Sequence, residues 1–400
     1  MSLIAIEGFD NYGQVTDINL RNGALQWSSN QMYGTTVVLN LQSPGRGGYG
    51  KCLNINMTYF YYNSQFIGAN LSKNTNKLTI GFAVFCPPVN SEGGSAGQTN
   101  PSLQVSFCDL TAPATGSYGG VQSTGWYLQA QLTWVLNFQN GTIQLCNQVG
   151  SEEQYPTFVP LATALNALQA GAWNYVELQA TISSTSGAAA LRVNGRELAS
   201  FPDLTGIVTQ FTSNSWANSV RFNYYYNIYG LPNTGASIQL DDLYFADGTP
   251  TPGPLPNNGF MGDIRCATQF PIANGSTIDF TPLANSNYQE VNSPNFDGDT
   301  SYNSSATQGA TDVFVGETLP QITGSLIGLT VTVAVRMVDA GTRAIAPAVM
   351  VNGTLYTGTP QSIDVSYLFI TSIWPLNPAT NQPWTPQEAN SAQFGYTIVT

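Results

Sequence analysis

The chain has 400 residues, and only 8% of them are charged, against roughly 25% in an ordinary soluble domain; its formal net charge is -12. With 23 acidic and 11 basic side chains it would repel phosphate backbones and has no basic patch for counterion release, so nucleic acid is excluded as a partner. The lack of any histidine removes Ser-His and Cys-His nucleophile pairs and histidine metal sites, and no Gly-Lys-Ser or Gly-Lys-Thr step offers a phosphate-cradling loop.

Along the chain the expected elements are almost all strands. The N-terminal MSLIAIEGFD has no basic start and only a short apolar run before Glu7, so neither a signal peptide nor an anchor is read there, and a soluble, cytoplasmically made protein is expected. No apolar stretch approaches the roughly 20 residues a membrane helix needs. Strands are expected at 3–9, 36–41, 51–59, 78–86 and 103–108, with a Gly- and Ser-rich tip at 90–100. Over 126–138, Trp126, Leu128, Ala130, Leu132, Trp134, Leu136 and Phe138 alternate with more polar residues, a period of two with one apolar face. Asn140-Gly141 then turns the chain into 142–147.

One helix is expected at 161–170, where Leu161, Leu165 and Leu168 share a side and Gly171 can end it. A strand at 171–182 leads to a hairpin at 190–198, closed by Asn194-Gly195, the pair that suits a type I′ turn. Strands at 219–226 and 237–245 follow. The segment 247–261, with four prolines and three glycines in its first thirteen residues, reads as a semi-extended linker. Beyond it, strands are expected at 277–280, 288–292, 329–338, 346–351, 354–356, 366–373 and 393–399. Short strands with Gly-, Asn- and Pro-rich turns predict an all-β chain of sandwich sheets.

Cys52, Cys86, Cys108, Cys146 and Cys266 are odd in number and lack C-x-x-C spacing, so they read as small buried hydrophobes, with a Cys86–Cys108 disulfide left open. The pair Glu152-Glu153 is adjacent, and adjacent side chains on a strand point apart.

Gly171, Trp173 and Val176, followed by Val193, Asn194 and Gly195, match the "G-x-W-x-x-V" strand and "V-N-G" hairpin of concanavalin-A-like, or laminin-G-like, lectin sandwiches, and 238–248 (IQLDDLYFADG) is similar to their final strand. The resemblance implies a jelly-roll sandwich over 1–246, with its last strand beside its first. Glu7 and Asp10 would then neighbour Asp241 and Asp242, and hard oxygen ligands on adjacent strands suit a structural calcium; the alternative is that these acids bond loop amides. No cofactor is required. Glycanases of this fold carry Glu-x-Asp-x-x-Glu on one strand, whereas no Glu-x-Asp step occurs here and the one acidic pair spaced by two is Asp297-x-Asp299. No enzyme is therefore expected and no catalytic residue is assigned. For sugar binding the candidates are Trp216, Tyr224 and Tyr226, with 59–62 (YFYY) a further aromatic cluster; the alternative for all of them is sheet packing.

The C-terminal part carries a second resemblance. Asp297 to Tyr302 (DGDTSY), Asp339 to Arg343 (DAGTR), and Trp384, Thr385, Asn390, Phe394 and Gly395 resemble elements of tailed-bacteriophage virion proteins. This implies a smaller β-sandwich over 262–400 and a non-enzymatic head or tail appendage, of decoration or fibre type, in the virion. Its expected partners are other virion proteins, further copies of itself, as in trimeric fibres, and host glycan; no membrane is involved. A stand-alone carbohydrate-binding lectin-like protein is the alternative. A surface poor in Lys and Glu suits multi-copy assembly, because less side-chain entropy is lost at each contact.

Overall fold

A computed structural model describes residues 3–30, 37–57, 66–87, 99–112, 115–118, 121–124, 129–149, 157–227, 237–248, 259–319, 324–339 and 341–400. The aromatic cluster 59–62, most of the tip 90–100, Trp126, Leu128, Glu152-Glu153 and most of the proline-rich linker lie outside these residues. Among the described residues the chain is all-β, as expected, and no helix is long and apolar enough to cross a membrane.

The chain forms two compact units. The larger takes residues 27–249 and 262–264 and is a two-sheet sandwich. Its first sheet runs Arg196–Glu197, Gly187–Val193, Trp173–Thr181, Lys77–Phe85, Ser237–Asp247, Cys52–Met57, Val37–Gln42. Its second runs Thr157–Ala164, Thr142–Val149, Ala130–Asn137, Thr99–Cys108, Ala217–Asn227, Phe66–Thr75 and Leu25–Asn30, the last entering this unit at Trp27. Phe82 of the first sheet meets Phe222 of the second edge to face, 5.5 Å between centroids, and Leu132, Trp134 and Leu136 are fully buried on the apolar face that the period of two predicted. Asn194 and Gly195 both have positive φ, 50° and 72°, the pairing a type I′ turn requires. The other expected turn is longer: Asn137 pairs with Thr142, so four residues close that hairpin, with Gly141 at φ 68°.

Two expectations are corrected. Residues 161–170 do not form a helix, because Thr157–Ala164 is a strand paired antiparallel with Thr142–Val149. The leucines at 161 and 165 stay exposed, at 44% and 57%, and of the stripe that suggested a helix only Leu168 is buried, so cross-strand bonding overrides a weak local preference. Residues 288–292 form a turn rather than a strand: Ser286 Oγ donates to Gln289 Oε1 and its carbonyl accepts from Gln289 N, closing the backbone on itself. Residues 1–26 belong to the smaller unit with 250–261 and 265–400, since Arg21–Asn22 pairs in parallel with Leu368–Trp374 and Tyr12 packs on Phe369 at 5.3 Å.

The smaller unit has a sheet of Pro271–Ile278, Thr311–Gly316, Gln393–Ile398, Arg343–Val351 and Thr354–Thr357, with Gln361–Ile363 beside Arg343–Val351. A second sheet joins Arg21–Asn22, Leu368–Trp374 and Leu329–Val335. Phe280, Phe314, Ile345, Tyr396 and Ile398 pack with Ile370, and Val349 and Val351 with Val331 and Trp374, so the two layers meet in two buried apolar clusters.

The elements at 297–302, 339–343 and 384–395 are architectural. Asp299 accepts from the Arg336 guanidinium and from Tyr367 Oη, and Asp339 pairs with Arg343. Trp384 donates Nε1–H to the Trp374 carbonyl, Thr385 caps the helix Pro386–Ser391, and a Cβ at Gly395 would fall 1.9 Å from the Asp312 carbonyl oxygen. Cys86, Cys108 and Cys146 are free thiols, so the Cys86–Cys108 disulfide is not formed; burial pushes the Cys108 thiol up to about 11 and those of Cys86 and Cys146 up to about 12.

Candidate functional site

Trp216 stands immediately before the strand Ala217–Asn227 of the larger unit, half-buried at the side of a polar cleft of about 370 Å³. Lys73, Asn74, Thr75 and Asn76 line the cleft from the turn between Phe66–Thr75 and Lys77–Phe85, and Ser215, Asp247 and Gly248 complete it. Asp247 is sealed at 1% exposure and forms an ion pair with Lys73, whose side chain stays 45% exposed. Gly248 has no room for a side chain, because a Cβ would meet Lys77 Cβ at 2.6 Å.

The segment that carries Trp216 is held from beneath by one amide. Gln131, fully buried, accepts from Phe211 N (2.8 Å) and Thr212 N (3.1 Å) and donates to Thr212 Oγ1, the Asn214 carbonyl and the Trp216 carbonyl at 2.7–2.8 Å. Asp109 adds a second anchor, accepting from Thr212 Oγ1 and Asn214 Nδ2 at 2.9 Å each. Burial pushes the Asp109 carboxyl up, but hydrogen bonds from Thr111, Asn214 and Thr212 more than offset this and hold it below the usual carboxylate range. A loop whose amides and carbonyls are satisfied by buried side chains keeps a fixed shape, so the indole is a pre-organised surface.

The second sheet also has a polar face. Val220 and Phe222 point into the core, so the alternate residues Ser219, Arg221 and Asn223 take the other side. There Asn70 Nδ2 donates to Ser28 Oγ, Ser219 Oγ donates to Asn70 Oδ1, Ser106 bonds Thr133 and Asn223 bonds Gln104. Arg221 donates to Gln129 Oε1 at 2.7 Å, and burial holds its guanidinium below its ordinary value.

Of the predicted sugar contacts, Trp216 lies in the cleft, while the side chains of Tyr224 and Tyr226 fall outside the described residues. The predicted calcium acids do not fit that role. Glu7, in the smaller unit, is paired with buried Arg21 and accepts from Phe9 N and Tyr12 Oη, and Asp10 accepts from Thr268 Oγ1. In the larger unit Asp241 accepts from Arg46 N and Asp242 N, and Asp242 pairs with Arg46 at 3.2 Å. Their oxygens thus bond protein donors, and among the described residues no group of three or more His, Cys, Asp or Glu is gathered to hold a metal. Asp242 has φ 52° at a bulge, with its carbonyl taken by Tyr175 Oη at 3.1 Å, which explains the Asp-Asp step as backbone geometry.

Sequence reasoning missed Lys73, Asp247 and Gln131. Asp247 read as the first residue of the linker, and Gln131 occupied what alternation marks as a solvent face; the missing signal was that both faces of that strand are buried.

No family model matches the chain, and no curated protein sequence does. Solved structures similar to it include an endo-β-1,4-glucuronan lyase from the fungus Trichoderma reesei (15% identity over 55% of this chain and 90% of that one, TM-score 0.37). Arcelin-5, a lectin-like defence protein from Phaseolus vulgaris, is 13% identical over 60% of this chain and 96% of that one, TM-score 0.33. A GH131 β-glucanase catalytic domain from Podospora anserina is 15% identical over 60% and 93%, TM-score 0.31.

Proposed function

We propose that the chain is a non-enzymatic carbohydrate-binding protein whose larger unit holds a sugar in the cleft beside Trp216. The supporting observation is the combination of a half-buried indole, carried on a backbone that Gln131 holds through the Trp216 peptide carbonyl, with a wall of amide, hydroxyl and charged side chains. Sugar recognition needs that combination: an apolar ring face against the indole and polar groups around the hydroxyls. Buried acids that could serve catalysis have other work. Glu177 accepts from Tyr244 Oη at 2.6 Å and Gly262 N at 2.9 Å, and Asp241 and Asp242 hold Arg46. A glycan array followed by titration calorimetry tests the reading, with Trp216→Ala expected to abolish binding while leaving the melting temperature within about 2 °C, since the indole is half-exposed. Array silence would refute it.

The same protein acts, in this reading, as an appendage of a tailed-phage virion, present in several copies and displaying the glycan site. The elements Asp297 to Tyr302, Asp339 to Arg343 and Trp384 to Gly395 support this through their sequence resemblance. Mass spectrometry of purified particles should find the chain co-sedimenting with them; a chain found free instead favours the stand-alone lectin.

A further inference from the structure

An account of donors and acceptors around the cleft narrows its ligand. Four of the acceptors are already engaged: Asn74 Oδ1 takes Asn218 Nδ2 at 2.9 Å, the Asn76 carbonyl takes Ile182 N at 2.7 Å, the Trp216 carbonyl takes Gln131, and the Asp247 carboxylate is paired with Lys73. The donors are not. Lys73 brings three N–H groups and spends one on Asp247, and the amide nitrogen of exposed Asn74 donates to nothing among the described residues. Trp216 Nε1 is buried without an acceptor, an expense that an oxygen entering beside it would relieve. A cleft whose one carboxylate is neutralised, and which presents an ammonium and an indole N–H in need of an acceptor, is matched by a ligand that brings an anionic oxygen.

We infer that the cleft selects an acidic sugar, with the ring against Trp216 and an anionic substituent, carboxylate or sulfate, at Lys73. The chemistry rests on the glycan reading of the same cleft and narrows it. It also accounts for a lysine held at a binding surface in a chain of net charge -12: the buried Asp247 fixes the ammonium where a second anion can reach its outer side.

The test titrates the full chain by calorimetry at low salt with three matched trisaccharides: neutral, uronate-bearing and sulfated. The acidic ligands should bind roughly tenfold tighter than the neutral one, a partly exposed charge pair's worth, and the advantage should shrink in high salt. Binding of only the uronate or only the sulfated ligand identifies which anion is meant. Lys73→Gln should erase the tenfold preference, so that acidic and neutral ligands bind alike; Trp216→Ala should remove binding of all three. Equal affinity for neutral and acidic sugars, or a preference that survives Lys73→Gln in a variant with unchanged melting temperature, overturns the inference while the glycan reading stands. No binding of any saccharide overturns both.

Discussion

Single residues set the tolerances of the larger unit. Gly81 lies beneath two buried tyrosines, and a Cβ there would meet Tyr244 Cε1 at 2.1 Å and Tyr175 Oη at 2.9 Å. Because a packed interior cannot yield that space, Gly81→Ala should cost about 1 to 3 kcal/mol, read as a lowered urea midpoint with unchanged slope. Asp109 should make the same unit acid-sensitive. Its folded-state pKa is depressed, so the stability it supplies is complete above the unfolded value of roughly 3.9 and is lost as pH falls through the folded one. Urea midpoints measured below about pH 5 should therefore decline less steeply for Asp109→Asn than for the natural chain, which alone carries this linkage.

At the scale of elements, local codes held wherever they described a bond the backbone makes with itself. Asn194-Gly195 specified its turn through two positive φ angles that few other pairs adopt cheaply. Thr385-Pro386-Gln387-Glu388 is a capping box: Thr385 Oγ1 accepts from Glu388 N and Glu388 Oε2 accepts from Thr385 N. Thr385→Ala should remove about 1 kcal/mol from the smaller unit, measured by chemical denaturation. Codes failed where the partner was distant. The leucines at 161, 165 and 168 carry a helical spacing, yet the neighbouring strand Thr142–Val149 offered a ladder, and a ladder outweighs a stripe of which only Leu168 is buried. The ten-residue strand Phe66–Thr75 escaped notice because its Asn, Ser and Lys residues blur the alternation.

For the molecule as a whole, the N-terminal residues are part of the C-terminal unit. Buried Arg21 pairs with Glu7 and donates to the Ile6 carbonyl at 3.1 Å, while burial raises the Tyr12 hydroxyl well above its ordinary value so that it stays a neutral donor to Glu7. Arg21→Ala leaves a carboxylate buried beside that hydroxyl and should cost about 3 to 5 kcal/mol. Scanning calorimetry should show the transition of the smaller unit falling while that of the larger one holds.

The sequence by itself determined the all-β class, the two-sheet design of the larger unit and the turn at Asn194-Gly195, because side-chain alternation and positive-φ preferences are properties of a few consecutive residues. It could not determine which unit owns residues 1–26, nor that Lys73 and Asp247, 174 positions apart by the numbering, share a cleft with Trp216. Nor could it show that Glu7 and Asp242 spend their charge on Arg21 and Arg46. Those outcomes were decided by the tertiary structure, since the partners are brought together by strand order across the sheets, and a charge declares its role only when its neighbour is known.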